Sequence, residues 1–140
     1  MSTLFLLDTT ILVTLLRGNG AAARPRLREA EGRVAVSTVS EMELEYGIER
    51  SGDPHRNRQA VDDLLSLVDV LPFDGLAAMH AGRVRALLAA RGTPIGPYDA
   101  LLAGHARSLG LVMVTNNVRE LARVPGLEVE DWLTVASRDP

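Results

Sequence analysis

The sequence Gly96-Pro97-Tyr98-Asp99-Ala100-Leu101-Leu102-Ala103 predicts the start of a buried helix. Gly96 permits the turn, and Pro97 suits the first helical position because an N–H there has no partner within the helix. Asp99 then falls in the first turn, where the helix dipole favours a negative charge. The leucines and alanines that follow must be buried. The segment therefore places a carboxylate at the edge of a hydrophobic core, although an ordinary first-turn aspartate would fit this stretch alone equally well.

Short apolar segments elsewhere in the chain predict buried strands. The clearest are residues 4–7 (Leu-Phe-Leu-Leu), 34–36 and 111–114, and weaker strands are expected at 70–71 and 127–129. Amphipathic stretches between them predict helices, with caps at Ser37, Asp53 and Asp74. Strands that alternate with helices of this length favour an α/β fold around a mostly parallel sheet.

Polar residues follow two of these strands directly. Asp8 comes after the first strand, and Thr115, Asn116 and Asn117 come after residues 111–114. The carboxyl ends of parallel strands share one edge of the sheet, and such folds hold their ligands there. Asp8 could instead be only a helix cap, and Asn117 only a turn residue.

A group of carboxylates at that edge would need a cation. Asp8, Asp99 and the helical Glu43 can meet there if the strand ends converge. Oxygen ligands suit Mg²⁺ or Mn²⁺, and a bound divalent ion can promote hydrolysis of a phosphodiester. The alternative for Glu43 is a solvated position on its helix.

Composition excludes several classes of protein. The 140 residues suffice for one domain, 46% of them are apolar, and no apolar run approaches the ~20 residues of a membrane span. There is no cysteine, and all 15 basic residues are arginine. The missing lysine argues against a phosphate-loop NTPase and a Schiff-base enzyme. A cytoplasmic location is the default expectation, since no signal peptide is recognisable.

The net charge of −3 does not indicate a nucleic-acid partner by itself. Any contact with RNA must therefore use local features. One predicted helix carries Arg24, Arg26 and Arg28. We interpret these arginines as the solvent-exposed face of the helix, and contact with the RNA backbone is the more specific alternative.

Four short motifs follow one another along the chain. They are residues 6–9 (Leu-Leu-Asp-Thr), 43–47 (Glu-Leu-Glu-Tyr-Gly), 92–99 (Gly-Thr-Pro-Ile-Gly-Pro-Tyr-Asp) and 114–117 (Val-Thr-Asn-Asn), the last continued by 119–121. Residues 124–127 (Val-Pro-Gly-Leu) and Trp132 complete the pattern. In this order and spacing the motifs resemble the PIN-domain ribonucleases, specifically the VapC-type toxins of bacterial toxin–antitoxin pairs.

The resemblance implies a three-layer α/β/α PIN domain over residues 1–132, with 133–140 as a C-terminal tail. It implies a Mg²⁺-dependent endoribonuclease, usually dimeric, that a VapB-type antitoxin inhibits; DNA would be contacted only through the antitoxin. The branch with Gly-Pro-Tyr-Asp and Thr-Asn-Asn resembles toxins that cut transfer RNA in the anticodon region, initiator tRNA in some members.

The resemblance also implies roles for particular residues. Asp8 and Asp99 would bind the metal most directly, and Glu43 would bind the ion or its water and orient the nucleophile. Asn117 would support this site, and Thr9, Thr115 and Asn116 would form a shell around it.

Two positions depart from the family pattern. Thr10 stands where many members have Asn or Ser, and Asn117 stands where many have a fourth Asp, which puts a tight second metal ion in doubt. The competing hypotheses are a non-catalytic PIN-like module that binds RNA or protein, and a small-molecule-binding α/β domain, for which no phosphate loop is visible.

Overall fold

The apolar segments form a five-stranded sheet in the computed structural model, which describes residues 2–134. The strands are β1 (Phe5–Leu7), β2 (Val34–Ser37), β3 (Asp69–Leu71), β4 (Val112–Val114) and β5 (Val129–Glu130). Their order across the sheet is β3-β2-β1-β4-β5, and every pairing is parallel. The predicted fold class is confirmed. The last strand lies slightly later than 127–129 because the N–H of Leu127 closes a turn on the carbonyl of Val124.

Seven helices connect and follow these strands within residues 2–134. They are α1 (Thr9–Leu16), α2 (Ala23–Glu29), α3 (Thr38–Glu49), α4 (Pro54–Leu65), α5 (Gly75–Ala90), α6 (Pro97–Leu109) and α7 (Val118–Leu121). The three predicted caps are confirmed, since Ser37, Asp53 and Asp74 accept hydrogen bonds from the first-turn N–H groups of α3, α4 and α5. Not one of these helices is long and apolar enough to cross a membrane.

The sheet separates two hydrophobic clusters. Successive residues of a strand point to opposite faces, so Leu7 joins one cluster while Leu6 joins the other. Helices α1, α2 and α4 contribute to the first cluster, α5 and α6 to the second, and α3 contributes to both. Because helices cover both faces, the central strands β1 and β4 are apolar throughout rather than alternating. This arrangement confirms the three-layer architecture.

Helices α5 and α6 pack closely enough to require a residue without a side chain. A Cβ atom on Gly104 of α6 would lie 2.4 Å from the Cα and the N of Ala81 on α5. No Cβ fits at that distance unless the backbone moves. The close approach fixes the position of α6, which begins with the Gly96–Pro97 turn and carries Asp99 in its first turn.

Trp132 anchors the end of the fold, as predicted. Its side chain is 3% exposed, and its ring meets that of Phe5 edge to face with centroids 5.0 Å apart. Leu133 also packs against the core. Residues 135–140 of the predicted tail lie outside the described residues.

Candidate active site

The carboxyl end of β1 meets the helices α1, α3 and α6 around one depression of about 230 Å³. Three acids from separate elements face it: Asp8 follows β1, Glu43 lies on α3, and Asp99 lies in the first turn of α6. The other residues that line it are Thr9, Thr10, Val13 and Tyr98. The structure thus brings together the three acids that the sequence analysis selected.

Asp8 is the most buried of the three acids, with 3% of its surface exposed. Its Oδ2 accepts a hydrogen bond of 2.7 Å from the hydroxyl of Thr115, and its Oδ1 accepts one of 3.4 Å from the backbone N–H of Thr10. The backbone N–H of Asp8 donates to the carbonyl of Val114. Asp8 therefore caps α1 and also faces the depression, so the capping interpretation and the site interpretation both apply to it.

Hydroxyl groups hold Glu43. The Oγ1 of Thr9 donates a hydrogen bond of 2.9 Å to Oε1 of Glu43, and it lies 2.8 Å from the Oγ of Ser40. Because Thr9 has only one hydroxyl hydrogen, Ser40 must be the donor in the second contact. This chain of hydroxyls ties the start of α1 to α3 and fixes one oxygen of Glu43.

Asn117 links Asp99 to a fourth acid. Its Nδ2 donates hydrogen bonds to Oδ2 of Asp99 at 3.4 Å and to Oε2 of Glu120 at 3.0 Å. Its backbone N–H donates to Oγ1 of Thr115 at 3.0 Å, and Thr115 in turn binds Asp8. Asn117 and Thr115 thus connect the carboxylates on the β4 side of the site.

Burial and the nearby negative charge of Asp8 raise the pKa values of Asp99 and Glu43. The pKa of Asp99 lies above its usual value, first because of burial and then because of the negative charge of Asp8, while Asn117 partly offsets the rise. Burial also raises the pKa of Glu43, the hydrogen bond from Thr9 lowers it, and the charge of Asp8 raises it further. Negative charges held this close repel one another, and a bound cation would reduce that repulsion.

The donor set fits a hard divalent cation that keeps part of its water shell. Within residues 2–134, no three acid or histidine side chains lie close enough to hold a metal ion between them directly. Mg²⁺ does not need such a cage, since it usually binds through one or two carboxylates and retains several waters. Asp8 and Asp99, which lie close enough for their charges to interact, meet that requirement.

Some of the residues predicted to surround the acids contact them, and so do residues that were not predicted. Thr9 and Thr115 donate hydrogen bonds to Glu43 and Asp8, whereas Asn116 is exposed and does not line the depression. Glu120 lies in the fourth motif but had no predicted role, and Ser40 was not predicted. The available signal for Glu120 was its spacing, because Asn117 precedes α7 and Glu120 is the third residue of that helix, and side chains at these two positions often lie together.

Comparison with known proteins identifies the family. The sequence matches the PIN domain family over residues 5–127. It is 47% identical over 128 residues to the tRNA(fMet)-specific endonuclease VapC of Shigella flexneri, covering 91% of this chain and 97% of that protein. The Salmonella typhimurium protein of the same name is 45% identical over 128 residues, with the same shares covered.

A solved structure agrees with the sequence comparison. The fold superposes on a chain of the DNA-bound VapBC complex from Salmonella typhimurium with a TM-score of 0.89 and 45% identity, covering 93% of this chain and 98% of that one. The sheet order, the site at the strand ends and these likenesses lead to one conclusion: this chain belongs to the PIN domain family.

Proposed function

We propose that this chain is a metal-dependent endoribonuclease and the toxin of a type II toxin–antitoxin pair, with Mg²⁺ as its metal and Mn²⁺ as a substitute. The observation that carries the proposal is the convergence of Asp8, Glu43 and Asp99 on one depression at the strand ends. The names of the relatives support an RNA substrate. They also favour initiator tRNA as that substrate.

The proposed roles follow from the contacts of each acid. Asp8 and Asp99 hold the metal, and Asn117 and Thr115 keep these two acids in place through their hydrogen bonds. A bound divalent cation lowers the pKa of water and stabilises negative charge on phosphate oxygens.

Glu43 receives the proton of the attacking water in this proposal. Thr9 binds its Oε1, while its Oε2 has no hydrogen-bond partner among residues 2–134. Oε2 can therefore accept a hydrogen bond from water and orient it. The raised pKa of Glu43 makes this carboxylate a better base than an exposed glutamate. The reaction is direct hydrolysis without a covalent enzyme intermediate.

The proposed partners are a VapB-type antitoxin and a second copy of this chain. Structures similar to this one are VapBC complexes, some of them bound to DNA, which supports an antitoxin that makes the contact with DNA. Leu76 and Met79 are exposed on α5 and are candidates for the surface of a homodimer.

Cleavage of initiator tRNA by the purified Asp99→Asn protein tests the proposal. The amide keeps the shape of the side chain but is a poor ligand, so kcat/KM should fall by more than the about 10–100-fold that changes outside the ligands themselves cause. Asp62→Asn is the matched control, since Asp62 is exposed on α4 and does not line the depression. Chelator should stop the parent enzyme, and Mg²⁺ or Mn²⁺ should restore it.

Two results would contradict the proposal. Undiminished cleavage by Asp99→Asn would remove Asp99 from the mechanism. A parent protein that binds tRNA but does not cut it with either metal would favour the non-catalytic module instead.

A further inference from the structure

The chain has few aromatic residues, and most of them are packed against another ring. Aromatic residues make up only 4% of the sequence. Phe5 packs edge to face on Trp132, and Phe73 packs in the same way on His105. The two tyrosines are the exception, since Tyr98 is 49% exposed and Tyr46 is 63% exposed.

The two exposed tyrosines differ in their surroundings. Tyr98 lines the depression together with the three acids, whereas Tyr46 does not. The guanidinium of Arg50 lies over the ring of Tyr46, 5.8 Å from its centroid. Within residues 2–134, no cation or aromatic ring stacks on Tyr98 and no hydrogen bond engages its hydroxyl. One face of the Tyr98 ring is therefore available for stacking at the edge of the site.

The backbone holds Tyr98 in a defined position. It lies between Pro97, whose ring fixes its own φ, and Asp99 in the first turn of α6. Neighbouring Cα atoms are about 3.8 Å apart, so the tyrosine starts within the length of one nucleotide from a proposed metal ligand. A phosphate group held at the acids would bring an adjacent base to this ring.

The charge of the site makes an uncharged contact useful. The acids that line the depression repel the phosphates of RNA, and the chain as a whole carries a net charge of −3. Base stacking on an aromatic ring does not depend on charge, and every nucleobase has a face that can stack. Tyr98 can therefore supply affinity where electrostatic attraction is weak.

We propose that the ring of Tyr98 stacks on the nucleobase next to the scissile phosphate, an inference that rests on the ribonuclease function proposed above. The base must be unpaired and turned out of its own stack to reach the ring. The substrate segment is therefore a single-stranded region or a loop. Tyr98 is a substrate-binding residue in this scheme and takes no part in the chemical step.

The test is a double-mutant cycle between the protein and the RNA. The probe is a synthetic stem-loop of the initiator tRNA anticodon arm, in which the parent enzyme's cut is first mapped with Mg²⁺. Further stem-loops then carry an abasic ribose on the 5′ or the 3′ side of that cut. Initial rates of cleavage over a range of RNA concentrations are measured for the parent, Tyr98→Leu, Tyr98→Phe and, as the matched control, Tyr46→Leu.

Stacking predicts a specific pattern of rates. Tyr98→Leu should lower kcat/KM on the intact RNA by about fivefold to a hundredfold, mainly through KM, because loss of a base–aromatic stack has that size. Tyr98→Phe should retain the parent rate because the ring face remains, and Tyr46→Leu should do so because that ring is outside the depression. On one of the two abasic RNAs, the parent and Tyr98→Leu should cleave at the same reduced rate.

Other results would overturn the inference. Independent, multiplicative losses from Tyr98→Leu and from both abasic sites would show that the ring and the base do not meet. Normal cleavage by Tyr98→Leu, with weakened binding of the antitoxin, would assign the tyrosine to the antitoxin surface. No cleavage by the parent with Mg²⁺ or Mn²⁺ would instead reject the ribonuclease function itself, and the inference with it.

Discussion

A single added methyl group should have opposite effects at two glycines of the packed helices α5 and α6. In Gly104→Ala the new Cβ would lie 2.4 Å from backbone atoms of Ala81 and 2.7 Å from its Cβ. These neighbours are not the end of a flexible side chain, so α6 or α5 must shift. Overpacking of this kind costs about 1–3 kcal/mol, and the backbone contacts place Gly104→Ala at the upper end.

Gly82→Ala is the matched control on α5. Gly82 is exposed, and a Cβ there would meet nothing within 4 Å. Alanine is a better helix former than glycine, so this change should stabilise the fold by about 0.5–1 kcal/mol. The two variants make the same chemical change and should differ by about 3.5–4 kcal/mol in the free energy of unfolding.

Urea unfolding followed by tryptophan fluorescence measures both variants. Trp132 is the chain's single tryptophan and is buried, so it reports on the whole fold. The midpoint should fall for Gly104→Ala and rise for Gly82→Ala with similar slopes. Cleavage by Gly104→Ala should also fall under conditions where it is folded, because a displaced α6 moves Asp99. Unchanged or increased stability of Gly104→Ala would refute the close helix contact.

Three further predictions concern the acids. Asp8→Asn keeps the cap but loses a negative charge and the acceptor for Thr115, so its melting temperature should rise less on addition of Mg²⁺ than that of the parent; equal Mg²⁺ shifts would contradict a ligand role. Because the pKa values of Asp99 and Glu43 are raised, the folded state binds protons more tightly than the unfolded state. Their contribution to stability is therefore greatest at acidic pH. It is lost as pH rises through the folded pKa values. Calorimetric titration should accordingly find weaker Mg²⁺ binding at pH 5 than at pH 7.5, and Asp99→Asn should reduce the acid-side gain in thermal stability. Thr115→Val should lower the free energy of unfolding by about 1.5–3 kcal/mol in urea, because it leaves Oδ2 of the buried Asp8 without its hydroxyl donor; no loss would mean that water replaces the hydroxyl.

The sequence was sufficient to predict the sheet and the main acids because their signals are local. Strands buried on both faces read as continuous apolar runs, and β1 is such a run. Asp8 follows it directly, and Asp99 follows a turn that glycine and proline mark. The caps at the helix starts are local for the same reason.

The contacts around the acids could not be predicted from the sequence, because they join distant segments. Thr9 meets Ser40 only after α1 and α3 have packed together, and no periodicity encodes that contact. Glu120 lies on α7, which has only four residues and too little pattern to show which side faces the site. Both the place of Asn117 directly after a strand and the family resemblance indicated this residue, but the structure alone shows that its amide joins two acids.

The strand order has a consequence during synthesis on the ribosome. β1 is the central strand, and it pairs with β4 through Phe5 and Val112, residues from opposite ends of the chain. A nascent chain therefore carries Asp8 without Thr115 until β4 has been made. At about 5–20 residues per second, that interval lasts roughly 5–20 seconds. The contact between Thr115 and Asp8 therefore cannot form on the ribosome until residue 115 has been made, and a fragment that stops before β4 lacks that contact.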